Sequence, residues 1–546
     1  MNKNRTLLLL GLFLAMFFGA LDQTVTSTAM PTIIAQLGGF QLMAWLATAY
    51  MLSSTIVVPI AGKLADQFGR KPVYLFGLGV FMTASALCGL AGSMEQLILY
   101  RALQGIGGGV MMPMAMIIIG DIFTGEERAK FQGVFGGIFG LSSIIGPQVG
   151  GWFVDHLAWQ WVFYINLPFG LLAALFIALG LRGEKFRGEA RIDYSGIITF
   201  TIAMVSLLLA LTFGGTDYPW LSWQIAGLFA SFALFLILFL RAEKTAEEPI
   251  LPLSLFRNRS YVLLNLIGFL MTMGMFGAIM FMPLFMQGVI GVSASGAGTA
   301  MTPMMLSMVV ASTLGGRALL RLGVKPQILG GLSVLTAGLL LVTTLGLGAT
   351  RWTASLYLVI IGFGLGLVMP VLTIALQEIF PRHLLGAVTA SGQFFRSIGG
   401  TFGVALFGTV MNQVSGQSLR QELLPLLNGA PAAARPAVEP IRSLLETNPQ
   451  SLYAMLLQGD VMARMPETFR SLIEPVIKSS LAVSIHAVFW TAALATFLSF
   501  LVTLFLPAIR VSRRAVAGRG RSTGGEREQE RERQEGIEPA LEKGSR

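Results

Sequence analysis

Cysteine, histidine and charge are all scarce in this 546-residue chain, which has one Cys, three His and 12% charged residues. One thiol cannot form an intramolecular disulfide, and Cys88 sits in an apolar run, where a small packing residue is expected. Three histidines offer no metal-ligand spacing, and no paired carboxylates or other polar catalytic cluster stand out, which argues against an enzyme. No Gly-Lys-Ser/Thr phosphate loop occurs, which argues against a self-contained ATP-driven pump. Soluble domains carry about 25% charge. With 54% apolar residues, 64 Gly and a mean hydropathy of +0.71, the chain cannot cover its apolar surface with a polar shell, so a bilayer is its environment. The net charge of +10 is spread through the gaps between apolar segments, which excludes a nucleic-acid-binding face.

What is present is a series of helix-length apolar runs. A bilayer core about 30 Å thick needs about 20 helical residues, and the runs lack the period-two alternation of barrel strands. Fourteen spans are predicted, near 7–30, 42–62, 73–92, 96–119, 129–153, 160–181, 194–213, 221–240, 261–287, 297–318, 327–347, 354–378, 385–411 and 484–506. The first, with Asp22 and no small-residue cleavage site, reads as an uncleaved helix. Every second short loop carries Lys or Arg, including Lys63, Arg70, Lys71, Arg128, Lys130, Arg317, Arg321, Lys325 and Arg382, whereas the alternate loops hold almost none. The positive-inside rule therefore puts those loops and both termini in the cytoplasm. Residues 413–478 form an external insertion, with an amphipathic stretch at 443–457, and the Arg/Glu/Gly-rich tail is predicted to be disordered.

The chain repeats itself. Gly105, Gly107, Gly109, Met112-Pro113 and Asp121-Ile122-Phe123 return 257 residues later as Gly362, Gly364, Gly366, Met369-Pro370 and Glu378-Ile379-Phe380. The loop Gly62-Lys63-Leu64-Ala65-Asp66-Gln67-Phe68-Gly69-Arg70-Lys71-Pro72 returns as 316–326, with Leu320 in place of the acid, and Met30-Pro31 is echoed by Met282-Pro283. The expected architecture is an all-α integral membrane protein: two pseudo-symmetric six-helix bundles, 1–181 and 261–506, with two extra helices in 182–260 and a tail at 507–546. Facing bundles of this kind enclose a midplane cavity that opens to either side by rocking.

Four signatures resemble the fourteen-helix drug:proton antiporters of the major facilitator superfamily. They are Leu21-Asp22-Gln23-Thr24 with Ala29-Met30-Pro31, the Gly62–Pro72 loop, Arg101-x-x-Gln104-Gly105-x-Gly107, and Gly146-Pro147-x-x-Gly150-Gly151. The last is what that family's antiporters carry, and Trp159-Gln160-Trp161 departs from its usual Trp-Arg-Trp. The resemblance implies a proton-driven exporter of hydrophobic or amphiphilic small molecules, with a lipid or endogenous metabolite as the alternative cargo. It implies no cofactor, the proton gradient supplying the energy, and a monomer in the inner cell membrane.

Intramembrane charge is costly and points to function. Asp22 and Arg101 fall at nearly the same depth, and Arg396 lies near mid-membrane, so Asp22 is expected to carry the proton with Arg101 or Arg396 tuning it. Asp66, with Gly62, Gly69, Arg70, Lys71 and Arg128, is expected to latch the cytoplasmic side by pairing with an arginine or accepting from amides at a helix N-terminus. Gly146, Pro147, Gly150 and Gly151 are expected to break the helical ladder and bring the fifth helix close to a neighbour. Gln23, Thr26, Met30, Gln104, Met112 and Gln393 are expected to line the cavity, whose substrates should be neutral, monocationic or lipid-like.

Overall fold

The computed structural model describes residues 3–37, 42–123, 125–181, 192–215, 218–292, 294–381, 384–428, 439, 441–445, 452–453 and 467–509, without the side chains of some helical residues. The disordered tail predicted beyond 509 and ten of the fifteen residues of 443–457 lie outside the described residues.

In lipid a chain must satisfy its backbone internally, and the apolar runs do so as helices. These are α1 (Lys3–Leu37), α2 (Met43–Phe68), α3 (Arg70–Gly89), α4 (Met94–Ile122) and α5 (Gly125–His156). There follow α6 (Trp161–Tyr164) and α7 (Asn166–Gly180), which share one span, then α8 (Tyr194–Phe213) and α9 (Trp223–Thr245). The second half comprises α10 (Arg259–Phe285), α11 (Ala294–Leu322), α12 (Val324–Val342), α13 (Arg351–Ile379), α14 (Leu385–Asn428) and α15 (Glu467–Leu504). Thirteen spans among the described residues are long and apolar enough to cross a membrane. The glycine-rich α5, 32 residues long and packed on α1 and α11, brings the helices to fourteen. The chain is a multi-pass membrane protein.

The repeat is visible as packing. In the first half α1 packs on α5 and α7, and α4 on α2 and α3; in the second, α10 packs on α14 and α15, and α13 on α11 and α12. The repeated glycines set these contacts, because small residues let helix backbones approach. A Cβ on Gly105 or Gly109 would lie 2.4 Å from the carbonyl oxygen of Tyr50 or Ser54 on α2, and one on Gly107 2.4 Å from Phe81 N on α3. Gly362 and Gly366 meet Met304 and Met308 on α11 in the same way, and Gly364 meets Leu335 on α12. Ser93 and Thr350 cap α4 and α13 by accepting from the amide three residues on. The halves meet where α2 packs on α14 and α5 on α11, while α8 and α9 pair with each other at the side.

Two span boundaries need correction. The thirteenth span does not stop at 411 but continues to Asn428, and the fourteenth begins at 467 rather than 484. Each extension carries an apolar stripe at four-residue spacing, Leu419, Leu423 and Leu427 against Ile473, Ile477 and Leu481, all buried. Ser418 and Ser480 pair at 2.9 Å, and Ser415 donates to the Tyr453 hydroxyl at 2.8 Å. The insertion is thus partly a continuation of two membrane helices. The sixth span is also divided: Pro168 has no N–H for the Tyr164 carbonyl, so α7 restarts at Asn166.

Candidate functional site

Asp22 lies inside the first bundle with its side chain fully buried. Its Oδ2 receives Arg101 Nη1 at 2.5 Å, and its Oδ1 receives Gln104 Nε2 at 2.9 Å and Asn166 Nδ2 at 2.7 Å. Ser85 Oγ accepts from both Gln104 and Asn166 and donates to the Phe163 carbonyl. Side chains of four helices, α1, α3, α4 and α7, therefore share one network around this carboxylate. Arg101 also donates to Gln104 Oε1 at 2.7 Å and places its guanidinium 4.6 Å from the centre of the Tyr50 ring. Cys88 is buried beside this network, its Sγ 3.8 Å from Gln104 Oε1. A buried ion pair whose carboxylate oxygens both accept hydrogen bonds becomes strongly unfavourable once either charge is removed.

At the Lys/Arg-rich end of α2, Asp66 joins the two halves. It pairs with Arg70 Nη1 at 2.6 Å and accepts from the backbone amides of Gly386 at 3.1 Å and Ala387 at 2.8 Å. Those amides open α14, where unfilled N–H groups attract a carboxylate. Arg70 Nε reaches on to Asp121 at 3.0 Å, so two acids from α2 and α4 share one guanidinium. The glycines permit the fit. A Cβ on Gly62 would fall 2.3 Å from Ala390 Cβ, one on Gly386 would meet the Asp66 carboxylate at 2.4 Å, and Gly69 turns the chain with φ +90°. Lys71 donates to the Ala178 carbonyl at the end of α7, and its repeat counterpart Lys325 donates to Leu504 at the end of α15. The side chain of Arg128 lies outside the described residues.

Between the halves lies a cavity of about 430 Å³, walled by α1, α2 and α4 on one side and α10, α11, α13 and α14 on the other. Ten methionines line it, including Met16, Met112, Met305 and Met369, and their unbranched thioethers adapt to varied shapes. Tyr50 belongs both to this wall and to the Arg101 contact, so its ring links the cavity wall to the buried pair.

Several expectations are corrected here. Gln23, Met112 and Gln393 line the cavity, whereas Thr26, Met30 and Gln104 do not. The reason is helical period: Thr26 and Met30 lie four and eight residues beyond Asp22 and share its bundle-facing side, and Gln104, three residues after Arg101, turns to Asp22 with it. Arg396 does not approach Asp22. It stands in the other half, donating to Gln393 Oε1 at 2.9 Å and lining the cavity. In α5, Gly146 and Gly150 do lie against α1, near Thr24 and Val25, but Gly151 faces open space, and α5 runs on as a helix through 146–147. The side chain of Pro147 lies outside the described residues. Sequence reading also passed over Ser85, Asn166, Tyr50 and the Arg70 partnership of Asp121. Of these, only Asp121 carried a signal, in its repetition as Glu378.

Two bundles of six helices with repeated internal pairings, closed around a common chamber and joined at one end, define a membrane transporter. The sequence profile of the Major Facilitator Superfamily matches residues 12–404. The chain is 55% identical over 511 residues to the multidrug transporter protein MdtP of Bacillus subtilis (strain 168), covering 94% of each. It is 36% identical over 502 residues to multidrug resistance protein 3 of the same organism, covering 92% of this chain and 95% of that one. The human organic anion transporter MFSD10 shares the fold with a TM-score of 0.61 at 15% identity, over 92% of this chain and all of that one. This chain belongs to the Major Facilitator Superfamily and is a transporter, not an enzyme.

Proposed function

We propose that the protein is a proton-coupled antiporter of the cell membrane that exports hydrophobic or amphiphilic small molecules, with Asp22 as the proton carrier. The names of its two Bacillus relatives support multidrug export as the activity. The observation that carries the coupling is the buried Asp22–Arg101 pair, with Arg101 lying against Tyr50, a residue of the cavity wall. Protonating Asp22 removes the charge that balances Arg101, and a buried guanidinium without its counter-charge must find water or another acceptor. Moving Arg101 shifts the ring it lies against, and that ring is part of the substrate wall. Loading a proton and filling the cavity with substrate thus compete for one arrangement of side chains.

The Asp66 contacts support a conformer shut toward the cytoplasm, since the basic loops mark that side. Rocking to the opposite state requires Asp66 to leave the α14 amides. Purified protein in proteoliposomes under an imposed pH gradient tests the reading. Wild type should export a hydrophobic dye only when the gradient is present, and Asp22→Asn should abolish the gradient-driven component while still binding the dye. Gradient-driven export by Asp22→Asn at the wild-type rate would refute the assignment.

A further inference from the structure

Asp22 is shielded from the cavity, and Arg396 is the one charged residue among the described residues that line it. Its side chain is 5% exposed, and among the described residues no carboxylate pairs with it. A guanidinium has five N–H donors in a rigid fork and stays charged in proteins. Among the described residues, the only acceptor that a hydrogen bond assigns to it is Gln393 Oε1. The residues that hold it in place are not acidic: Arg396 Cγ lies 3.2 Å from where a side chain on Gly268 would begin. One turn further along α10, Thr272 is buried in the same cavity wall, and its hydroxyl has no hydrogen-bond partner.

A buried cation with unused donors, lining the same cavity as an unpartnered hydroxyl and a set of methionines, is a built recognition site for an anionic oxygen group on an apolar body. We propose that Arg396, with Gln393 and Thr272, binds the carboxylate of an amphiphilic acid, so that single-headed acidic amphiphiles are a substrate class of this transporter. The proposal rests on reading the cavity as the export chamber, and it adds acids to the neutral, monocationic or lipid-like substrates expected from the sequence. The acid fixes one end of the substrate on α14, and the apolar remainder spreads over the methionines of both halves. Size and shape are then read loosely and the head group strictly.

Binding to purified protein in detergent, with no pH gradient, separates this inference from the proton reading. Three dansyl-labelled probes suffice: dodecanoic acid, its methyl ester and a dodecyl-trimethylammonium analogue. Wild type should bind the acid about tenfold or more tightly than the ester. Arg396→Gln should remove that preference while leaving ester and ammonium binding within about threefold, and Arg396→Lys should retain part of it. Equal binding of acid and ester by wild type overturns the proposal. So does a uniform loss of all three ligands in a monodisperse Arg396→Gln protein, because that marks a structural role. If Arg396→Gln aggregates, the wild-type acid-to-ester ratio and the Arg396→Lys protein decide alone. Selective acid binding without gradient-driven transport leaves this inference standing and removes the antiport reading.

Discussion

The two halves share a frame and differ at their centres. Around Asp22 the first bundle buries a carboxylate, a guanidinium, two amides and a hydroxyl in one network. The repeat puts Gly274, Leu358, Ile361 and Leu339 where Asp22, Arg101, Gln104 and Ser85 stand, and the three apolar side chains are completely buried. The second bundle packs its centre dry and instead turns one cation, Arg396, to the cavity. The latch is divided in the same unequal way, with Asp66 and Arg70 in one copy and Leu320 and Val324 in the other. Duplicated helices thus keep the glycines that position them, while the charges that do chemistry are retained once. One half holds a carboxylate paired with a guanidinium, and the other a guanidinium with no carboxylate partner among the described residues.

Breaking that contrast at its strongest point should give the largest effect. Asp22→Asn leaves Arg101 buried without its counter-charge, which costs about 3–5 kcal/mol and should lower the thermal midpoint. Adding Arg101→Leu, so that the first centre resembles the second, should restore much of the stability but no gradient-driven transport. If the double variant pumps, the polar centre is scaffolding.

Asp66→Ala removes one ion pair and two charge-assisted bonds to α14 and should slow transport about tenfold in a protein that remains folded. Cysteine-accessibility labelling of the cavity from the basic-loop side should rise at the same time; an unchanged pattern would mean that the latch does not hold the halves. Gly107→Ala and Gly364→Ala probe what the halves have in common. Each Cβ would press on a helix backbone, at 2.4 Å from Phe81 N and 2.6 Å from Leu335 N, and each should cost about 1–3 kcal/mol in thermal unfolding. A marked inequality between them would show that the frame is not equivalent in the two halves.

The smallest effect is expected where α2 meets the segment after α9. Lys63 pairs with Glu248 at 2.5 Å, and the hydrogen bond from Lys63 holds that carboxyl below the usual glutamate range. A depressed carboxyl contributes stability above its unfolded value and loses it as pH falls through the folded one. The contribution should therefore be constant from about pH 6 to 8, and Lys63→Ala should alter the melting temperature only slightly, the glutamate being half exposed.

Much of the architecture was legible because a bilayer reduces folding to apolar length and basic-loop parity, and the glycine repeat then paired the halves. Asp22 with Arg101, and Asp66 with a helix N-terminus, were legible because buried charge has few permissible partners. Span ends were not legible where an amphipathic stripe prolonged a membrane helix, since Leu419, Leu423 and Leu427 do not raise average hydropathy as an all-round apolar run does. The facing of Thr26, Met30 and Gln104 was recoverable in principle, by carrying the helical period outward from Asp22 and Arg101. Asn166 was not, because its approach depends on the restart that Pro168 imposes in three dimensions.

Helix α14 counts 44 residues, about 66 Å at 1.5 Å per residue. One end is gripped by Asp66, and beyond its middle Thr409 accepts from Trp220 while Asn412 donates to the Gly215 carbonyl. A rod gripped at one tip and steadied farther along is a lever: about a fulcrum at Asn412, a tilt of about 10° would move the Asn428 tip, about 24 Å away, by about 4 Å. A pair of spin labels placed near Asn428 and on the α8–α9 turn should report latch release from the opposite face of the membrane, with no probe in the substrate route.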